Sequence, residues 1–128
     1  MPVSTNSQLW FKKLTANAVF PTVSSSLNSD SFDIVLPEEV VLRGFLAGQS
    51  ADYSTKYVKF NYSLIIPDRW RCSFMPVITR EDQGISCYSY CRLYLSRNFE
   101  LAFRNLRNFD ITLPKNLLVG YLLCIEMQ

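Results

Sequence analysis

Histidine is absent from this 128-residue chain. The commonest general base and the commonest metal-binding side chain are therefore missing together. Ser-His-Asp and Cys-His nucleophile systems are excluded, as are zinc sites that use imidazole. No excess of either charge is present: 13 Lys and Arg face 11 Asp and Glu, a net charge of +2. Nucleic-acid binding needs a concentrated basic footprint, and this balance supplies none. Arg69, Arg71, Arg80, Arg92, Arg97, Arg104 and Arg107 do gather in the second half, and interface or solvated arginine accounts for them better than DNA. No apolar run approaches a membrane span; Leu117 to Ile125 is far too short. The opening, Met1 to Leu14, lacks the basic-then-apolar layout of a signal peptide. The expectation is an intracellular, non-secreted protein in the nucleus or cytoplasm, with no nucleic-acid or membrane partner. Its four cysteines then read as thiols in a reducing compartment.

What the chain does contain is apolar and aromatic. Apolar residues make up 48% and aromatics 14%, enough for one real core and suited to sheets. Val23 to Ser31, Gln49 to Thr55 and Thr79 to Gly84 are polar and read as loops. Between them a two-residue period dominates. Cys87, Ser89, Cys91, Leu93 and Leu95 alternate with Tyr88, Tyr90, Arg92 and Tyr94; Phe99, Leu101 and Phe103 alternate with Glu100, Ala102 and Arg104. Val58, Phe60 and Tyr62 alternate with Lys59 and Asn61 and run into Leu64 to Ile66. Phe32 to Leu36, Val40 to Phe45, Trp70 to Met75, Phe109 to Leu113 and Leu117 to Ile125 complete the strands. Pro37, Pro67, Pro76 and Pro114 lie between or at the ends of these runs, where a missing N–H does not break a ladder. No capped helical stripe and no internal repeat is present. The fold expected is all-β, a sandwich, jelly roll or barrel, in one domain spanning residues 1–128.

In their order and spacing these segments resemble the trimeric dUTPase family over nearly the whole chain. Phe11 to Thr22, with Leu14, Asn17, Ala18, Pro21 and Thr22, is similar to the family's first strand and its Leu-x-x-Asn-Ala-x-x-Pro-Thr pattern. Ser31-Phe32-Asp33-Ile34 resembles Gly-Tyr-Asp-Leu of the first motif, and Ile66-Pro67-Asp68-Arg69-Trp70 resembles Ile-Pro-x-Gly-Tyr. Phe109-Asp110-Ile111 and Leu117 to Ile125 are similar to the final strand pair; Val119-Gly120-Tyr121-Leu122-Leu123 is nearer still to the dUTPase-related early proteins of adenoviruses. The resemblance implies a dUTPase-like jelly-roll or β-barrel protomer in a homotrimer.

The same alignment departs from the family where its chemistry resides. The Pro-Arg-Ser-Gly loop falls on Pro76-Val77-Ile78-Thr79. A triphosphate needs cationic and N–H donors, and Val77 and Ile78 bring no side-chain donor. The Gly-x-Ile-Asp-x-Asp-Tyr segment falls on Ser89 to Leu95, so Arg92 stands where the base belongs. A guanidinium accepts no proton at any useful pH. Tyr121 replaces the glutamine of the fourth motif, and no glycine-rich arm follows Ile125 before Gln128. Asp33 alone keeps its motif identity, and a strand-end carboxylate bonded to nearby N–H groups is its expected role. The resemblance thus implies no catalytic residue, no metal and no cofactor.

Other groupings are weaker. Asp68, Glu81 and Asp82 do not have the spacing of an EF-hand loop and read as solvated acids. Cys87 and Cys91, four apart on a strand, are about 13 Å apart and cannot pair; with Cys72 and Cys124 they read as small buried hydrophobes. Asn61-Tyr62-Ser63 matches a glycosylation sequon but lies inside an expected strand. Tyr88, Tyr90, Arg92 and Tyr94 form an aromatic-basic stripe, which suits a subunit or partner interface better than a single-stranded nucleic-acid platform.

Taken together, the expected function is non-catalytic and works through protein contacts, as threefold symmetry offers multivalent binding. A capsid-associated or cementing viral protein comes first, with other viral structural proteins as partners. An early viral protein recruiting host proteins is the alternative, although Ile125-Glu126-Met127-Gln128 lacks the features of a PDZ-binding tail. A divergent dUTP or nucleotide hydrolase is the enzymatic alternative.

Overall fold

The computed structural model describes residues 10–24, 31–48, 54–77, 84–89 and 98–127. Ten strands form, in order β1 (Phe11–Lys13), β2 (Thr22–Val23), β3 (Ser31–Val35), β4 (Val40–Leu42), β5 (Thr55–Leu64), β6 (Trp70–Pro76), β7 (Ile85–Ser89), β8 (Asn98–Asn105), β9 (Ile111–Leu113) and β10 (Leu118–Glu126). No α-helix occurs among the described residues. The protein is all-β, as its two-residue periodicity requires.

Every pairing is antiparallel. A first sheet has the order β1-β5-β8-β7, a second the order β2-β3-β10-β6, and β4 and β9 form a two-stranded ribbon. The two large sheets share no strand among the described residues, so the barrel expected as one closure of these strands is not formed; the sheets stay open and pack their inner faces together.

Alternation selects what lies between the sheets. Val58, Phe60 and Tyr62 of β5 and Phe99, Leu101 and Phe103 of β8 are buried, as are Phe32 and Ile34 of β3 and Leu122 and Cys124 of β10. Aromatic rings make a continuous path through this layer. Trp70 meets Trp10 at 5.2 Å, Trp10 meets Phe32 at 5.7 Å, and Phe32 meets Phe11 at 5.0 Å. The path continues through Tyr62 and Phe60 to Phe99, which touches Phe74 of the opposite sheet at 6.3 Å. Such edge and tilted contacts each add about 0.5–1.5 kcal/mol beyond area burial.

Strand ends differ from the sequence expectation where side chains take over backbone groups. The run Val40 to Phe45 pairs only through Leu42, because the Gly44 N–H donates to Asp110 Oδ1 at 2.9 Å and the Phe45 N–H to the Arg107 carbonyl at 2.6 Å. Phe109 and Asp110 lie in the turn before β9, and Phe109 is exposed rather than a strand residue facing the core. Asn105, fully buried, organises this corner. Its Nδ2 donates to the carbonyls of Leu42 at 3.1 Å and Phe109 at 2.8 Å, while its Oδ1 accepts from the Arg107 N–H at 2.8 Å. One amide thus ties β8 to the ribbon.

Candidate functional site

The motif positions that the sequence singled out converge on the second sheet. Asp33 of β3 stands directly opposite Tyr121 of β10, and Tyr121 directly opposite Met75 of β6. Thr22 of β2 flanks Asp33 on its other side. Pro76 pairs with Gly120, and the Val77 N–H donates to the Val119 carbonyl at 3.1 Å. Ile78 and Arg92 lie outside the described residues, as do Glu81 and Asp82.

A register shift shapes this place. Leu118 pairs with Val35, yet Gly120 pairs with Ile34, so β10 carries one extra residue between them. Val119 and Gly120 are both buried as a result, and the alternation resets so that Leu118 and Tyr121 share the outward face. Glycine is needed at 120: a Cβ there would lie 2.5 Å from the Met75 carbonyl oxygen and 2.5 Å from the Phe74 ring. The bulge and its glycine hold β6 close against β10 beside Tyr121.

The outward face so built is largely apolar. Val35, Met75 and Ile125 are exposed, and Leu118, Tyr121 and Leu123 are partly so. Arg71 and Ser73 on β6 and Asp33 on β3 supply its polar groups. Asp33 Oδ1 is buried and has no hydrogen-bond partner among the described residues. An acceptor held in this way can take a donor brought by another molecule. It can do so beside a phenol, Tyr121, and among thioether and aliphatic side chains. Among the described residues no three His, Cys, Asp or Glu side chains gather as a metal site would require.

Two concave places among the described residues lie elsewhere. An open depression of about 290 Å³ is lined by Glu38, Glu39, Lys56, Tyr57 and Lys59 between the β3–β4 turn and β5. A second, of about 320 Å³, lies beside Arg43, Gly44, Leu46, Asn108 and Asp110 at the ribbon. Neither takes in Asp33, Pro76, Val77 or Tyr121.

For the aromatic-basic stripe the register places Tyr88 opposite Ala102 on β8; Tyr90, Arg92 and Tyr94 lie outside the described residues. Its neighbour Cys87 is buried, and burial pushes its thiol up to about 12. The sequon at Asn61 sits in β5 with Tyr62 and Ser63 buried beside it. Two features escaped sequence reasoning. Cys72 and Cys124 are cross-strand neighbours with sulfurs 3.7 Å apart, a meeting that only the β6–β10 register reveals. Asn105 ends β8 fully buried, and no local signal in the sequence marks it so. No helix among the described residues is long and apolar enough to cross a membrane. Compared with known proteins, the chain matches no family model and no curated sequence.

Proposed function

We propose that this chain is a non-catalytic protein on a dUTPase-like, jelly-roll scaffold, which acts through protein–protein contacts and uses the outward face of β3, β10 and β6 to assemble with copies of itself. The observation that carries this reading is the meeting of Asp33 and Tyr121 on one face whose other members include Val35, Leu118, Met75, Leu123 and Ile125. Positions that in the resembling family handle a nucleotide here sit in aliphatic, thioether and phenolic surroundings. Such a surface favours burial against protein, with a polar group at its centre for orientation. Holding a triphosphate calls for the opposite, a cluster of cations and N–H donors.

A turn supports the scaffold assignment independently. Trp70 N–H donates to the Pro67 carbonyl at 3.1 Å, and Arg69 has a φ of 69°. That left-handed conformation suits glycine, and glycine is the residue the family pattern has at this place. Arg69 keeps the glycine-type backbone without the glycine.

In the resembling family the sites lie between subunits, so this face becomes a protomer–protomer contact of a homotrimer. The trimer then sits among viral coat proteins as a cementing component. Quantitative mass spectrometry of purified particles tests this role. A fixed copy number per particle is expected, and absence from particles contradicts it. The partnerless Asp33 Oδ1 beside Tyr121 favours one second reading, a divergent nucleotide hydrolase. Pyrophosphate release from dUTP with magnesium, lost on Asp33→Asn, would establish that reading and remove the first.

A further inference from the structure

We propose that Cys72 and Cys124 form a reversible disulfide across β6 and β10, a redox clamp on the edge of the second sheet. The two residues are directly opposite in the ladder, with Sγ atoms 3.7 Å apart. Hydrogen bonds on either side of them fix the ladder's phase. At one end the Met127 N–H donates to the Arg69 carbonyl, and at the other the Val77 N–H donates to the Val119 carbonyl. In an antiparallel ladder the hydrogen-bonded pairs alternate with non-hydrogen-bonded ones. Counting inward from 69–127 and from 77–119 gives the same answer: 71–125, 73–123 and 75–121 are hydrogen-bonded pairs. Cys72–Cys124 is a non-hydrogen-bonded pair, the type in which side chains come closest, with α-carbons about 4.5 Å apart.

That separation lies at the short end of the range a disulfide spans, about 4.4–6.8 Å. The bond can close by side-chain rotation, without moving either strand. Disulfides that lie within reach of solvent are the ones that exchange and switch, and Cys72 on the edge strand is half-buried.

The two thiols are unequal, and their inequality assigns their roles. Cys72, on the edge strand, is half-buried; Cys124, on the interior strand, is buried. The hydrogen bond with Cys124 draws the Cys72 thiol below its ordinary range, against the opposing effect of burial. Cys72 is the attacking thiolate. It displaces one thiol from a low-molecular-weight disulfide such as oxidised glutathione, forming a mixed disulfide. Cys124 gives up its proton and attacks the Cys72 sulfur, closing the Cys72–Cys124 bond and releasing the second thiol. Two protein thiols are oxidised, one small disulfide is reduced to two thiols, and the protons pass to those thiols. Cys87, buried and with its thiol pushed up to about 12, stays out of the exchange.

The clamp joins positions separated by 52 residues in sequence, and closing a loop of that length constrains the unfolded chain strongly. It also pins the edge strand that carries Met75, so redox state sets how firmly the outward face is held.

The test equilibrates the full-length chain over a series of reduced-to-oxidised glutathione ratios, quenches in acid, alkylates, and maps peptides by mass spectrometry. Alkylation at Cys72 and Cys124 should disappear together as a linked 72–124 peptide appears, and reductant should restore both. The oxidised protein should melt at least about 5 °C higher than the reduced one. Cys72→Ser, at the half-buried edge position, should keep its far-UV circular dichroism and lose both the linkage and the melting shift. The proposal is overturned if folded wild-type protein retains both thiols, carries glutathione on them, or links either one to Cys87 or Cys91 at the oxidising end. It is equally overturned if Cys72→Ser shows the same redox-dependent melting shift.

Discussion

The two large sheets bury similar inner faces and turn dissimilar outer faces away from the core. On the first sheet the outward positions include Tyr57, Lys59, Glu100 and Arg104, with Lys59 and Glu100 paired at 3.7 Å. On the second, the corresponding rows are Val35 with Leu118, and Asp33 with Tyr121 and Met75, followed by Leu123 and Ile125. A mixed, charged face needs no partner, and an ion pair whose lysine is 69% exposed contributes little. A face whose middle strand presents Leu118, Tyr121, Leu123 and Ile125 in a row, with Val35 and Met75 beside them, is more informative, because exposed apolar clusters often mark contact sites. The difference teaches where to look for function.

The largest effect should come from the layer both sheets share. Phe99 is 1% exposed and touches Phe60 at 4.9 Å and Phe74 across the gap. Phe99→Ala should cost about 3–5 kcal/mol in chemical denaturation. Next comes the corner joining the first sheet to the ribbon. Asn105→Ala takes this partner from the Leu42 carbonyl, which is bonded in a buried place, and from the part-buried Phe109 carbonyl and Arg107 N–H, and should cost about 3 kcal/mol. Asn105→Asp, which keeps the Oδ1 acceptor but replaces the Nδ2 donor, should recover little of it. If Asn105→Ala were neutral by urea titration, the ribbon would not depend on that amide.

A smaller effect is expected with pH. The folded Cys87 thiol is held up to about 12, above its ordinary value of 9.0, so the neutral form is favoured by folding. Stability from this group is complete below about 9 and falls as pH rises toward about 12, by up to about 1.4 kcal/mol per unit. Urea titrations across that range should show a shallower decline for Cys87→Ala than for wild type. Burial also holds the Tyr62 phenol well above its usual range, which leaves a common alkaline decline in both proteins. The smallest effect belongs to the turn at the foot of β6. Arg69→Gly removes a left-handed non-glycine residue and should raise stability by up to about 1 kcal/mol. The same change at Asn116, whose φ is 70°, should gain less, since asparagine tolerates this conformation.

Much of the fold was legible because period two is a property of the chain itself. Phe99, Leu101 and Phe103 point inward as their alternation with charged residues requires, and Pro76 ends an edge strand where its missing N–H does no harm. What the sequence hid is pairing between distant segments. Nothing near Cys72 points to Cys124, and nothing near Asp33 points to Tyr121; register alone brings them together. The bulge at Val119 resets one face of β10, so strict alternation through Leu117 to Ile125 misassigns part of that strand. The ribbon was shortened by Asp110 and Arg107, whose hydrogen bonds to Gly44 and Phe45 compete with the ladder. The open sandwich likewise depends on which strands fail to meet, a fact no single segment carries.

The direct test of the central claim is sedimentation equilibrium of the wild-type chain beside a double variant, Tyr121→Lys with Ile125→Lys. A Lys59→Ala variant of the other sheet serves as the control, and circular dichroism reports folding. The account predicts a wild type of three protomer masses, a folded double variant of one, and a control indistinguishable from wild type. A monomeric wild type, or a double variant that keeps the threefold mass, would contradict it.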